Sequence, residues 1–160
     1  MKTLIVCVSQ HHGNTKKVAD AMAAVLAAEV LHPGDVNVGT LAKYDLIGFG
    51  SGIAFGKHYQ PLLKWVDTLP ALDKKAFVFS TRGAPRQGSH HEALTHKLKE
   101  KGLSLVGEFS CRGFDTFALT KLVGGIARGR PNEQDLQDAA EFAKTIADGS
   151  ATPTSRVDKT

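Results

Sequence analysis

Short, nearly continuous apolar runs recur along the chain, separated by stretches with helical periodicity. Such runs are typical of strands in a parallel sheet, because helices cover both faces and neither face meets water. The pattern predicts five strands, at residues 2–9, 30–32, 44–51, 75–81 and 103–111. The second of these strands ends at Pro33-Gly34, which is a turn signal.

Four amphipathic stretches follow the strands and predict helices at about 14–28, 61–69, 89–102 and 132–148. Ser89 and Glu92 have the spacing of a capping box at the start of the third helix, and Asn132 is expected to cap the fourth. Residues 112–131 form a long connection without a clear period. The Ser-, Thr- and Pro-rich residues 149–160 are expected to form a mobile tail.

This alternation of strands and helices predicts an α/β fold with a doubly wound parallel sheet. Right-handed crossovers bring the loops after the first, third and fourth strands to the carboxyl edge of the sheet, where such folds bind ligands. One domain over residues 1–148 accounts for the pattern, since 160 residues are enough for a single core.

Composition and charge narrow the classes of function. The net charge is +4, but the Lys and Arg residues are scattered and are not interleaved with aromatics, so nucleic-acid binding is not favoured. Cys7 and Cys111 lie in apolar runs without a disulfide or CxxC pattern, which favours a reducing, cytoplasmic location. No stretch approaches the roughly 20 apolar residues of a membrane-spanning helix.

The loop after the first strand carries the clearest chemistry. A strand that leads directly into a helix N-terminus presents backbone N–H groups that bind anions, most often phosphate. Gly13 allows close approach to this backbone, and Ser9, Asn14 and Thr15 offer hydrogen-bonding side chains. The loop predicts a phosphate site, with an ordinary helix cap as the alternative.

The segment His12-Gly13-Asn14-Thr15, preceded by Ser9, resembles the phosphate loop of the flavodoxin family, which has the pattern T/S-x-T-G-N-T. Residues 44–51 are similar to the third strand of that family. The resemblance covers residues 1–148 and implies a five-stranded sheet of order 2-1-3-4-5 with FMN as the cofactor. The chain departs from the pattern at His11-His12, where hydroxyl residues usually stand. Imidazole or backbone N–H groups would replace those hydroxyls, and phosphate affinity would then depend on pH.

The same resemblance implies that three loops hold the cofactor. Phe55 is the candidate for stacking on the isoalloxazine, with core packing as the alternative, and Gly56 is the candidate for the peptide that turns toward flavin N5. Residues 81–89 would supply N–H groups to the pyrimidine edge. The implied cofactor-binding residues are Ser9, Gln10, His11, His12, Gly13, Asn14, Thr15, Ser51, Gly52, Ile53, Ala54, Phe55, Gly56, Thr81, Arg82 and Gly83.

Six basic side chains fall in the predicted loops, with no carboxylate in those loops before Glu92. They are Lys57, His58, Arg82, Arg86, His90 and His91. Because a fully reduced flavin is anionic, nearby cations stabilise it. We therefore expect a less negative potential for the second electron than in ordinary flavodoxins, and protein partners with acidic docking faces.

Two classes of function remain open. One is an electron carrier that uses bound FMN between redox partner proteins. The other is an FMN-dependent oxidoreductase acting on a small substrate such as a quinone or a porphyrin, because residues 51–56 also resemble a branch that includes protoporphyrinogen oxidases. Five histidines are predicted to lie at one edge of the sheet, which suggests a metal site as an alternative. They lack the spacing of metal ligands, and no metal is predicted.

Overall fold

A mostly parallel β-sheet runs through the molecule, with helices on both faces. The computed structural model describes residues 1–10, 12–85, 89–114, 122, 124–150 and the backbone of 155–156. Within these ranges the strands are β1 (Thr3–Val8), β2 (Glu29–Leu31), β3 (Leu46–Ala54), β4 (Lys57–His58), β5 (Lys75–Arg82), β6 (Ser104–Arg112) and β7 (Ser155–Arg156).

The helices are α1 (Asn14–Leu26), α2 (Gln60–Asp67), α3 (Glu92–Glu100) and α4 (Glu133–Ala147), and short 3-10 helices occur at Pro33–Asp35 and Val38–Lys43. None of the helices in these ranges combines the length and the apolar character that crossing a membrane requires. The Asn132 cap is confirmed as a full capping box. Asn132 Oδ1 accepts from the N–H of Asp135 at 2.9 Å, and Asp135 Oδ2 accepts from the N–H of Asn132 at 2.7 Å.

The strand order confirms the predicted doubly wound fold. The parallel strands lie in the order β2-β1-β3-β5-β6-β7, and β4 pairs antiparallel with β3. Without the two-residue strands β4 and β7, this is the predicted order of five strands. Most of the predicted tail, residues 149–160, lies outside the described residues. Within it, the backbone of β7 pairs with β6.

The predicted loop at 52–58 is instead a β-hairpin. β3 continues to Ala54 and returns as β4 through a turn at Phe55 and Gly56, whose φ angles are 53° and 75°. Positive φ at both central residues is what a two-residue hairpin turn requires. This turn was not predicted from the sequence because a residue with a bulky side chain seldom adopts positive φ.

The start of α3 also differs from the prediction. The helix begins at Glu92 with His91 as its N-cap, and none of the described side chains caps it. The capping box expected from Ser89 and Glu92 is therefore not formed. The His91 side chain is instead buried and hydrogen-bonded to Ser80 and Glu108 on the sheet.

Two glycines of β3 let the central strands pack closely. The apolar residues form one layer between the sheet and α2 and α3, and a second layer between the sheet and α1 and α4. In the second layer, a Cβ at Gly48 would collide with the Phe77 ring, and one at Gly50 with the Phe79 ring. These glycines leave space for aromatic rings of the neighbouring strand β5.

Replacing Gly50 with alanine is expected to lower the free energy of unfolding by about 1–3 kcal/mol, because the methyl group would overlap the buried Phe79 ring. Urea denaturation measures this loss. Phe79→Leu shortens the side chain, so the double variant should be more stable than the sum of the two single losses predicts. Strictly additive losses would show that the methyl group and the ring do not compete for space.

Candidate functional site

The loop between β1 and α1 enters the helix through two successive left-handed residues. His12 has φ of 64°, and Gly13, the N-cap of α1, has φ of 66°. Gly13 has no side chain to cover the N–H groups of the first turn, and that turn contains no acidic residue. The hydroxyl of Ser9 accepts from the N–H of Lys16 at 3.1 Å, which fixes the loop against the helix. The start of α1 therefore suits an anion.

Asn14 and Thr15 tie this loop to the end of β5 and to the segment that follows β6. Both side chains are buried. Asn14 Nδ2 donates to the carbonyl of Phe114 at 2.7 Å, and the hydroxyls of Thr15 and Thr81 are 2.8 Å apart. Asn14 Oδ1 is buried without a hydrogen-bond partner in the described part of the chain. The ends of β1, β5 and β6 are thus held together by polar side chains at the start of α1.

The hairpin of β3 and β4 presents Phe55 at its tip. The side chain is 91% exposed, so the core packing considered for Phe55 is excluded. Ser51, by contrast, faces the interior. Its Oγ lies 2.8 Å from His58 Nδ1 and accepts from the N–H of Tyr59 at 3.1 Å.

The ends of β1, β3, β5 and β6 enclose a cavity of about 920 Å³. This volume lies within the range of roughly 300–1,000 Å³ that is typical of small-molecule sites. The predicted site residues that line it are Gln10, Asn14, Ile53, Ala54, Phe55, Gly56, Thr81, Arg82 and Gly83. Other predicted residues are not among those that line it, namely Ser9, His12, Gly13, Thr15, Ser51 and Gly52. His11 lies outside the described residues.

Four residues that line the cavity were not identified from the sequence: Tyr59, Gln60, Pro61 and Gly113. Gln60 and Pro61 begin α2, and their helical pattern concealed their position at the cavity. The ring of Tyr59 occupies space that a Cβ at Gly52 would fill, a relation that the sequence does not signal. Gly113 directly follows β6, whose carboxyl end lies beside that of β5.

A row of polar groups, most of them buried, lies beside the cavity. Ser51, Ser80 and Ser110 occupy paired positions on β3, β5 and β6. His58 Nδ1 lies 2.8 Å from Ser51 Oγ, and His91 Nε2 lies 2.8 Å from Ser80 Oγ. Ser80 in turn donates to Ser110 Oγ at 3.0 Å. The three serines therefore position two histidines over the sheet.

The two histidines contact each other and differ in their partners. Their ring centroids are 5.0 Å apart. His91 Nδ1 lies 3.0 Å from the carboxylate of Glu108, which comes from β6. Burial, and then the charges of His91 and His90, lowers the pKa of His58 well below 6.5, so His58 is neutral at pH 7.

The expected cluster of six cations is therefore wrong in part. His58 is uncharged, and His91 faces a carboxylate that the expectation did not include. The guanidinium of Arg82 is buried and donates through Nη1 to the Ala84 carbonyl at 3.0 Å. Lys57, Arg82 and His90 do line the cavity, and no Asp or Glu is among its described lining residues. Arg86 lies outside the described residues.

Neither thiol chemistry nor metal ligation is supported by the described side chains. Burial raises the pKa of Cys7 and of Cys111 to about 12, so both thiols stay protonated at neutral pH. Within the described ranges, no group of three or more His, Cys, Asp or Glu side chains is arranged to hold a metal ion.

The sequence profile of the flavodoxin domain matches residues 5–114 of the chain. The chain belongs to the flavodoxin family. An uncharacterized protein of Methanocaldococcus jannaschii is 46% identical over 147 residues, which cover 91% of this chain and 98% of that protein. The resemblance inferred from the phosphate loop is thereby confirmed at the level of the family.

Solved flavodoxins share the fold. A flavodoxin from the domain Archaea superposes with a TM-score of 0.72 at 20% identity, over 95% of this chain and 100% of that one. Flavodoxin 2 from Bacillus cereus gives a TM-score of 0.71 at 19% identity, over 93% and 99% of the two chains. At these identities the likeness extends to the fold alone.

Because His58 is buried and neutral, acid should destabilise the protein through this residue. Its pKa is lowered in the folded state and ordinary in the unfolded state, so the unfolded state binds more protons below pH 6.5. The free energy of unfolding therefore decreases as the pH falls below 6.5. The decrease is about 1.4 kcal/mol per pH unit.

Urea denaturation at pH of about 7.5 and about 5.5 measures this loss, and His58→Gln should reduce it. His96→Gln is the matched control, because His96 lies on the exposed face of α3 and contacts only Glu100 at 3.6 Å among the described ion pairs. Equal losses in the wild type and in His58→Gln would contradict a neutral His58.

Proposed function

We propose that the protein binds FMN in this cavity and transfers electrons between protein partners. The proposal rests mainly on the N-terminus of α1, which begins at an uncapped glycine beside a cavity of about 920 Å³ at the carboxyl edge of the sheet. A phosphate-bearing planar ligand suits this combination of a helix N-terminus and a cavity with few charges. Membership of the flavodoxin family supports FMN as that ligand.

The residues at the site fit the parts of FMN. The backbone N–H groups of Asn14 and Thr15, at the start of α1, would hold the phosphate, since that of Lys16 already bonds to Ser9. Asn14 Oδ1, buried without a partner among the described residues, is an acceptor that a ligand donor would satisfy. Gly56 has φ of 75° and, as a glycine, can reorient its peptide beside the ring. When bound, FMN would supply reversible transfer of one or two electrons.

The hairpin tip favours electron transfer to a protein partner over oxidation or reduction of a small substrate. Phe55 is 91% exposed at the rim of the cavity, where a docking protein has access to it. An oxidoreductase acting on a quinone or a porphyrin would instead need a wall over the cofactor. The long connection at residues 112–131, whose role the sequence leaves open, falls in part outside the described residues. Catalytic turnover of a quinone or a porphyrinogen well above the rate of free FMN would overturn the carrier assignment.

FMN binding through the helix N-terminus is tested with Gly13→Ala. Both Gly13 and Gly149 have positive φ, at 66° and 70°, and a Cβ at either would meet no atom within 4 Å. Alanine should cost each site a similar strain of about 1–2 kcal/mol. Titration of the apoprotein with FMN, followed by flavin fluorescence, should show roughly tenfold weaker binding in Gly13→Ala, equivalent to about 1.4 kcal/mol.

Gly149→Ala should bind FMN as the wild type does. Riboflavin, which has no phosphate, should bind the wild type and Gly13→Ala with equal affinity. If Gly13→Ala weakens riboflavin and FMN alike, the loop does not hold the phosphate. Failure of the wild-type apoprotein to bind FMN would refute the proposed function itself.

The positive charge at the cavity should raise the potential for the second electron, and Lys57→Gln tests this effect. A charge at about 8 Å in an effective dielectric of about 40 contributes about 1 kcal/mol, or about 40 mV for one electron. Potentiometric titration should therefore give a more negative potential in Lys57→Gln. Lys64→Gln is the control, since Lys64 is exposed on α2 and does not line the cavity. Equal shifts in the two variants would leave only the net charge as the cause.

The same positive surface leads us to propose partners with acidic docking faces.

A further inference from the structure

His58 is a buried base at the wall of the proposed FMN site. It is 1% exposed, it lines the cavity, and its Nε2 has no hydrogen-bond partner among the described residues. A buried ring nitrogen without a partner is uncommon, because its desolvation is not compensated. The nitrogen is therefore available to a proton or to a ligand group.

The hydrogen bonds around Ser51 define which nitrogen of His58 carries the proton. Ser51 donates its single hydroxyl proton to the Gly52 carbonyl at 2.8 Å and accepts from the N–H of Tyr59. His58 Nδ1 must then donate to Ser51 Oγ, at 2.8 Å. In the neutral ring this leaves the lone pair on Nε2.

His91 differs from His58 in that both of its ring nitrogens have partners. Nε2 lies 2.8 Å from Ser80 Oγ, and Nδ1 lies 3.0 Å from the Glu108 carboxylate. Of two rings whose centroids are 5.0 Å apart, His58 is therefore the one with a ring nitrogen left without a partner among the described residues.

We propose that His58 takes up a proton at Nε2 when the FMN bound in the cavity is reduced. An electron from a partner protein adds one negative charge to the cavity, and one proton from solvent forms an N–H bond at Nε2. No bond in the protein breaks, the imidazole becomes an imidazolium, and the net charge of the site is unchanged. The inference rests on FMN being the ligand.

The groups around His58 explain why the proton would arrive only on reduction. From the segment just before α3, His91 and His90 oppose a charge on His58, and Lys57 precedes it on β4. Glu108 on β6 is already paired with His91. Burial and these neighbours keep the pKa of His58 low while the cavity holds no negative charge, and an anionic ligand acts in the opposite direction.

The experiment is nitrogen NMR of the full-length protein with ¹⁵N-labelled histidine, loaded with FMN. Spectra are recorded for the oxidised protein and after full reduction with dithionite, at several pH values between about 6 and 8. The His58 signal is the one that His58→Gln removes and His96→Gln retains. We expect Nε2 of His58 to move from the unprotonated to the protonated region on reduction.

Proton uptake on reduction, measured with a pH indicator, gives a second readout. His58→Gln should take up one proton fewer than the wild type, and His96→Gln should match the wild type. If none of the seven histidines of the wild type moves to the protonated region on reduction, the inference is overturned, whether or not His58→Gln folds.

The failures of the two proposals are distinguishable. If FMN binds and is reduced while the His58 signal does not move, the inference is wrong and the proposed function stands. If the apoprotein binds no FMN, the proposed function is wrong and the inference falls with it.

Discussion

The buried side chains of Asn14 and Thr15 connect the loops on which the whole site depends. Each belongs to the first turn of α1: Asn14 bonds to Phe114, which follows β6, and Thr15 bonds to Thr81 near the end of β5. Because polar groups removed from water must find partners, these bonds cannot be broken without a cost of about 1–3 kcal/mol per unsatisfied group. The start of α1, the ends of β5 and β6 and the cavity between them are therefore fixed as one unit. The N-terminus of α1 lies at the cavity because this unit holds it there.

The same need for partners decides the electrostatics of the site. A count of basic residues along the sequence suggests a cluster of six cations. In the folded chain, burial makes His58 neutral and Glu108 offsets His91. What reaches the cavity is a smaller positive charge, carried by Lys57 and Arg82, with His90 beside them. The polar row of Ser51, Ser80 and Ser110 determines how the two buried histidines are oriented, and so which basic groups contribute charge to the cavity.

Much of the fold could be predicted from the sequence because its signals are local. An apolar run such as 75–81 has one stable environment in a small α/β protein, and Asn132 caps a helix through residues three positions away. The loop before α1 could be picked out for the same reason, since Gly13 and its neighbours act together within one turn.

The parts that could not be predicted depend on residues far apart in the chain or on unusual backbone. His91 does not follow the capping pattern around Ser89 because its partners Ser80 and Glu108 are on the sheet. The hairpin tip requires Phe55 in a conformation that local preference disfavours. Tyr59 reaches the cavity only because Gly52, seven residues earlier, leaves room for its ring.

The bond from Asn14 to Phe114 joins residues 100 positions apart, and the bond from Thr15 to Thr81 spans 66 positions. Closing loops of this length costs chain entropy, which the pairing of the intervening strands must offset. Gly113 and Phe114 line the cavity and come after β6, so the complete cavity requires β6 in the sheet. A ligand that needs the complete cavity binds the native state. It can only shift the balance between the finished native state and the unfolded chain, as any ligand that binds the native state alone must do.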